Sequence, residues 1–204
     1  MDVVVASNNA GKLAELTALL SPLGVRLSTQ RQLGIEEADE TATTFVENAL
    51  IKARHATAAT GLPAIADDSG LVVAALGGAP GVRSARYAGS PSDAAANNRK
   101  LVEALRGIVD RRAYFYCALV FIRADDDPAP LIATATWDGH IVDSPAGRGG
   151  FGYDPHFLVD GLDQTAAELS AALKNQISHR GKAAAALVRS IGGALQDMRR
   201  SARP

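Results

Sequence analysis

The sequence holds one cysteine, Cys117, and it has no internal repeat and no long apolar run. A lone thiol forms no intrachain disulfide and supplies a single metal ligand, so a disulfide framework and a zinc cage built on thiolates are both excluded. Cys117 lies within an apolar stretch and reads as a small buried hydrophobe. That stretch, 113–122, is the longest in the chain, and it falls far short of the roughly 20 residues a membrane helix needs. The opening Met1-Asp2-Val3-Val4-Val5-Ala6 has neither a basic leader nor an extended apolar core, so no signal peptide and a cytoplasmic location are expected. An excess of one charge is missing too, since 21 basic residues face 22 acidic ones for a formal net charge of -1. That balance argues against a broad surface for DNA or RNA, while leaving room for a local basic cluster that suits a phosphorylated small molecule.

What is present suffices for a core. Hydrophobic residues make up 47% of 204, and the length fits a single domain over 1–204 with a lobed outline. Residues 3–6 read as a buried strand, followed by a turn and a helix over 12–20 with Leu13, Leu16, Leu19 and Leu20 as its apolar positions. A second strand is expected at 25–28. A second helix is expected over 44–59, with Thr44 and Glu47 as a capping box and Phe45, Ala49, Ala53 and Ala56 as one stripe. Short strands at 64–66 and 71–73 flank Asp67-Asp68-Ser69-Gly70, a Gly- and Pro-rich loop covers 77–91, and a third helix covers 92–105. The run 114–123 predicts a central strand covered on both faces, paired antiparallel with a strand at 132–142. The stretch 165–200 is mostly helical, and 201–204 is expected to fray. Helices alternating with strands, hairpins among them, define an α/β fold with a mixed sheet.

Three segments carry candidate chemistry. The first turn, Ser7, Asn8, Asn9, Ala10 and Gly11 with Lys12, lies between strand and helix, where backbone N–H groups and the helix dipole favour an anion. It is not a Walker A loop, because Ala6 and Leu13 stand where that pattern needs Gly and Ser or Thr. Taken alone, it reads equally as a polar helix start with an exposed lysine. In the second segment, Asp67 and Asp68 are adjacent, and adjacent strand residues point to opposite faces, so one should reach a ligand while the other supports it. A carboxylate here can ligate Mg²⁺ or take a proton from water, and an ordinary Asp-rich turn is the plain alternative. Of the acidic cluster Glu36, Glu37, Asp39 and Glu40, only Glu40 is placed near a metal, because it lies closest to the second helix; Glu47 is assigned to capping.

The third segment is Gly147-Arg148-Gly149-Gly150-Phe151-Gly152-Tyr153-Asp154-Pro155. Its glycines permit close backbone approach, Phe151 or Tyr153 can stack on a base, and Asp154 can accept a hydrogen bond or fix the loop. A tight turn with two core aromatics is the alternative. Lys174, His179 and Arg180 form a donor-rich set that would suit a 6-oxopurine and penalise a 6-amino group.

In their joint order these stretches resemble the inosine/xanthosine triphosphate pyrophosphatase family. The blocks are Ser7-x-Asn9-x-x-Lys12, Glu40-Thr41, Phe45-Val46-Glu47-Asn48-Ala49, Lys52-Ala53, Ala66-Asp67-Asp68-Ser69-Gly70-Leu71 and Gly78-Ala79-Pro80-Gly81. They continue with Ser84-Ala85-Arg86-Tyr87-Ala88-Gly89, Gly149 to Pro155, Thr165 to Leu169, Lys174 and Ser178-His179-Arg180. The resemblance implies Mg²⁺-dependent hydrolysis of ITP, dITP and XTP to the monophosphate and pyrophosphate. It implies Asp68 as proton acceptor and metal ligand, and Glu40 as a further metal ligand. Ser7, Asn8, Asn9, Ala10, Gly11 and Lys12 would hold the triphosphate. Ser69, Phe151, Gly152, Tyr153, Asp154, Lys174, His179 and Arg180 would bind substrate and base. It further implies an elongated α/β fold, two lobes flanking a cleft, and a homodimer. Another modified nucleotide as substrate, or a nucleotide sensor without turnover, are the competing readings.

Overall fold

Residues 2–201 are described by a computed structural model, with side chains described up to residue 193. The strands are β1 (Asp2–Ala6), β2 (Arg26–Thr29), β3 (Ala64–Val73), β4 (Arg112–Ile122), β5 (Leu131–Ile141) and β6 (Phe157–Val159). The α-helices are α1 (Ala10–Leu20), α2 (Phe45–Thr60), α3 (Ala94–Ala104), α4 (Ala171–Ile177) and α5 (His179–Ser201). The sheet order is β2-β1-β3-β4-β5-β6. β1 runs parallel to both β2 and β3, while β5 and β6 are antiparallel, so the sheet is mixed, as the alternation of elements predicts. Among the described residues no helix is long and apolar enough to cross a membrane.

Local chemistry accounts for the helix starts. The Asn9 side chain accepts from the Lys12 N–H at 3.0 Å and caps α1. Thr44 caps α2 by accepting from the Glu47 N–H at 3.3 Å, and its hydroxyl donates to the Glu47 carboxylate at 2.6 Å. The Thr44–Glu47 pair thus forms as expected, but through the two side chains rather than by Glu47 reaching back to the cap backbone. Gly61, left-handed at φ +67°, ends α2.

The structure refines the sequence reading in three places. Residues 64–66 and 71–73 are not two strands but parts of the continuous β3, because both carboxylates between them find cations and the chain need not turn out to solvent. The C-terminal helical stretch begins only at Ala171 and breaks at Ser178, whose extended backbone separates α4 from α5. β6 was not anticipated; Phe157-Leu158-Val159 is too short a run to register as a pattern. Of the expected fraying end 201–204, Ser201 closes α5, and 202–204 lie outside the described residues.

The chain forms two compact units. The first takes the chain up to Asp68, then Ala118–Thr134 and the segment from Arg180 onward; the second takes Ser69–Cys117 and Ala135–His179. The first unit buries Val3, Val4 and Val5 of β1 with Leu16, Leu20, Ala49, Ala53, Ala56, Ile65, Leu119, Ile122, Leu187 and Ile191. The second clusters Leu71, Val73, Leu101, Leu105, Phe115, Trp137, Ile141 and Phe157. In β4 the run from Cys117 to Ile122 is buried at every position, whereas β5 alternates between buried and exposed residues.

The connection between β4 and β5, to which the sequence assigned no role, is tied down by Asp127. Its carboxylate accepts from the Arg123 N–H at 3.0 Å, from Arg123 Nε at 2.8 Å and from the Ala129 N–H at 3.0 Å. The hydrogen bonds from the Arg123 guanidinium hold its pKa well below the ordinary carboxylate value. A carboxylate lowered in this way stabilises the fold above its unfolded pKa of about 3.9, and that contribution is lost as pH falls toward the folded value. Asp127→Ala is therefore expected to cost about 1–3 kcal/mol at neutral pH. Urea unfolding checks this, with the difference from wild type shrinking on acidification.

Candidate active site

The site is built around two neighbouring carboxylates in β3. Successive strand residues face opposite sides of the sheet, and the two aspartates have different ion-pair partners, although the Lys12 charge acts on both. Asp67, fully buried, lies 2.7 Å from Lys12 Nζ and 2.9 Å from Arg180 Nε. Arg180 is also buried, and its guanidinium pairs with Glu15 of α1 as well. Burial pushes the Asp67 pKa up, but Arg180 and Lys12 outweigh it and hold the group well below the carboxylate range.

Asp68 has different surroundings. Lys52 Nζ, on α2, lies 2.7 Å from Asp68 Oδ1 and 2.8 Å from Glu40 Oε1. The second Asp68 oxygen, Oδ2, is buried without a hydrogen-bond partner. Burial raises the Asp68 pKa, and Lys52 and Lys12 offset that only in part, so the net shift is upward. Lys52 shows the converse: burial alone would lower its pKa, yet Asp68 and Glu40 raise it. Glu40 sits in an extended segment ahead of α2 that Asn48 holds in place, accepting from the Ala42 N–H at 3.0 Å and donating to its carbonyl at 3.3 Å.

The first turn closes this set. Ser7 Oγ accepts from the Asn9 N–H at 3.3 Å, and Asn8 Oδ1 is buried without a hydrogen-bond partner. The first turn of α1, from Ala10, carries no acidic residue. Gly11 and Lys12 belong to this turn, with Lys12 directed at Asp67.

The second unit holds the other candidates. Asp154 accepts from the Phe151 N–H at 2.8 Å and from Lys174 Nζ at 2.6 Å, and Lys174 Nζ also lies 4.8 Å from the centre of the Phe151 ring. Gly150, at φ +67°, is required here, since a Cβ would come within 2.0 Å of Asp154 Oδ2. Gly147 packs as closely on the backbone of Ala167. These glycines thus serve approach within the chain, which the sequence had read as possible approach to a ligand. Tyr153 is buried and donates to the Ser84 carbonyl at 2.8 Å, and burial pushes its phenol up. Phe151 is therefore the half-buried ring of this loop, while Tyr153 serves the core. The Gly152 carbonyl accepts from Asn98 Nδ2 at 2.9 Å. Ser69 is half-buried in β3, and His179, the first residue of α5, is buried against Phe115 and Trp137.

Lys174, Asp154 and Phe151 are thus brought together, as are Lys12 and Asp67, and Glu40 and Asp68. Arg180 sits with Asp67 and Glu15 in the first unit, whereas Lys174 and His179 belong to the second. Lys52 and Glu15 received no role from the sequence. Lys52 had a legible signal: it is a lysine beside the α2 stripe of Ala49, Ala53 and Ala56, a half-buried position where a charge calls for a partner.

The fold is an α/β architecture with a mixed sheet whose strand β3 carries two buried, ion-paired carboxylates, and comparison with known proteins narrows the class. A model of the Ham1 family matches residues 3–190. A protein of Nitrosomonas europaea named dITP/XTP pyrophosphatase is 62% identical over 189 residues, 93% of each chain. The structure of a HAM1 protein from Coxiella burnetii aligns with a TM-score of 0.88 at 47% identity, covering 95% of this chain and 99% of that one. The Staphylococcus aureus Ham1 protein aligns at 0.84 and 39% identity, covering 95% and 100%. This chain belongs to the Ham1 family. The resemblance drawn from the motifs is borne out.

Removing one partner from a buried ion-pair network leaves the others uncompensated. Arg180→Met is expected to destabilise the protein by about 3–5 kcal/mol. Chemical denaturation measures this, and a loss below about 1 kcal/mol, the size typical of an exposed pair, would contradict the network.

Proposed function

We propose that the chain is a nucleoside triphosphate pyrophosphohydrolase that converts the non-standard purine nucleotides ITP, dITP and XTP to monophosphate and pyrophosphate with Mg²⁺, clearing them from the nucleotide pool. Family membership and relatives named for dITP and XTP support the enzyme class and substrates. The observation that carries the chemistry is the buried Asp68 Oδ2 without a donor, on a carboxylate gathered with Glu40 around Lys52.

These residues fit a magnesium ion. Hard cations take carboxylate oxygens, usually one or two from the protein, with phosphate and water completing the shell. Glu40 and Asp68 would hold it, and when bound it supplies charge neutralisation on the phosphates.

The chain's own groups do the rest. The α1 start, from Ser7 to Lys12, binds the triphosphate through backbone N–H groups and the lysine charge. Asp68, with its raised pKa, accepts the proton of a water that attacks the α-phosphorus, and pyrophosphate leaves. Lys174, His179 and Arg180 donate to the base, Phe151 stacks on it, and Ser69, Gly152, Tyr153 and Asp154 line or hold that part of the site. A single domain, a homodimer and a cytoplasmic location belong to the same proposal.

Asp68→Asn is expected to keep nucleotide binding and to lose about 10²–10⁴-fold in turnover from the missing base alone, with the lost metal ligand adding to that. Calorimetric titration with dITP measures binding, and separation of products measures turnover. Near wild-type activity contradicts the assignment of the base. Release of orthophosphate by the native protein contradicts cleavage between the α- and β-phosphates, and tight binding without turnover favours a sensor.

A further inference from the structure

Apart from the Asp154 cluster, the second unit stacks four rings. His179 lies on Phe115 with centroids 4.8 Å apart and planes inclined by only 9°, and it lies 6.2 Å and 19° from Trp137. Phe115 meets Phe157 at 4.6 Å and 55°, and Trp137 meets Phe157 at 5.4 Å and 50°. All four side chains are buried. Phe115 comes from β4, Trp137 from β5 and Phe157 from β6, so the platform under the imidazole is sheet core, which is close-packed and does not readily deform.

We infer that Phe115 and Trp137 are positioning residues for His179, and that their flat faces set how sharply the protein distinguishes a 6-oxo from a 6-amino purine. This rests on the proposed reading of His179 as a donor to the base. An imidazole donates in its ring plane, and a hydrogen bond weakens steeply as its angle falls. An unsupported ring can tilt away from a mismatched amino group and so avoid an unfavourable donor–donor contact. A ring held nearly parallel against the Phe115 face cannot, so the mismatch keeps its cost. The stack therefore acts on substrate choice through His179, with no contact of its own to the reacting phosphates required.

The test compares kcat and KM for dITP and dATP in the wild type, His179→Gln, Phe115→Leu and Phe115→Tyr. Leucine preserves apolar character but removes the flat face, and tyrosine keeps the face. Phe115→Leu is expected to lower the dITP:dATP ratio of kcat/KM by about tenfold, roughly one hydrogen bond's discrimination, through KM and with kcat for dITP little changed. Phe115→Tyr is expected to restore the ratio. A ratio that falls in His179→Gln but stays at the wild-type value in Phe115→Leu overturns the positioning role while leaving the base-reading role standing. A ratio unmoved in His179→Gln removes the base-reading role and the inference with it. If Phe115→Leu does not fold, Trp137→Leu carries the same expectation, with Trp137→Phe as its ring-retaining control.

Discussion

The separation of two adjacent carboxylates onto opposite faces of one strand is the constraint on which the rest of the site depends. Two buried acids side by side in sequence would repel each other and resist desolvation if they shared one environment. β3 prevents this by its period of two. Asp67 goes to Lys12 and Arg180, and Asp68 to Lys52. One carboxylate is locked in its ionised form by two cations, and the other is left more basic, with one oxygen lacking a donor. The same residue type thus meets two environments at neighbouring positions, one fully paired and one with an oxygen lacking a donor, and the proposed function gives them different roles.

A similar economy holds in the second unit. Asp154 binds the Phe151 backbone and the Lys174 ammonium, so one buried acid fixes both an aromatic ring and a cation against each other. Gly150 is needed to admit that carboxylate, and Tyr153 anchors the loop to the Ser84 carbonyl. The density of glycine in this segment is therefore explained by internal packing before any ligand is considered.

Much of this was legible in the sequence. The β-branched run of β1, the Thr44 cap of α2 and the doubly covered run in β4 followed from short-range rules, because their causes lie within a few residues. The opposite facing of Asp67 and Asp68 followed from strand geometry as well. What escaped were properties of pairs distant in sequence. Asp67 and Asp68 were read as breaking a strand, because nothing local announces that Lys12, Lys52 and Arg180 will neutralise them. For the same reason the clamp of Glu15 on Arg180 and the stack of Phe115 on His179 could not be seen, although Lys52 beside an apolar stripe was a visible clue.

The division of labour between the paired aspartates is most directly tested by thermal unfolding of Asp67→Asn beside Asp68→Asn. Asp67→Asn leaves Lys12 and Arg180 short of an anion, and it should lower Tm substantially. Asp68→Asn removes a desolvated charge while Lys52 keeps Glu40, and it should leave Tm unchanged or raise it. The opposite order, with Asp68→Asn the more damaging to stability, would contradict the account.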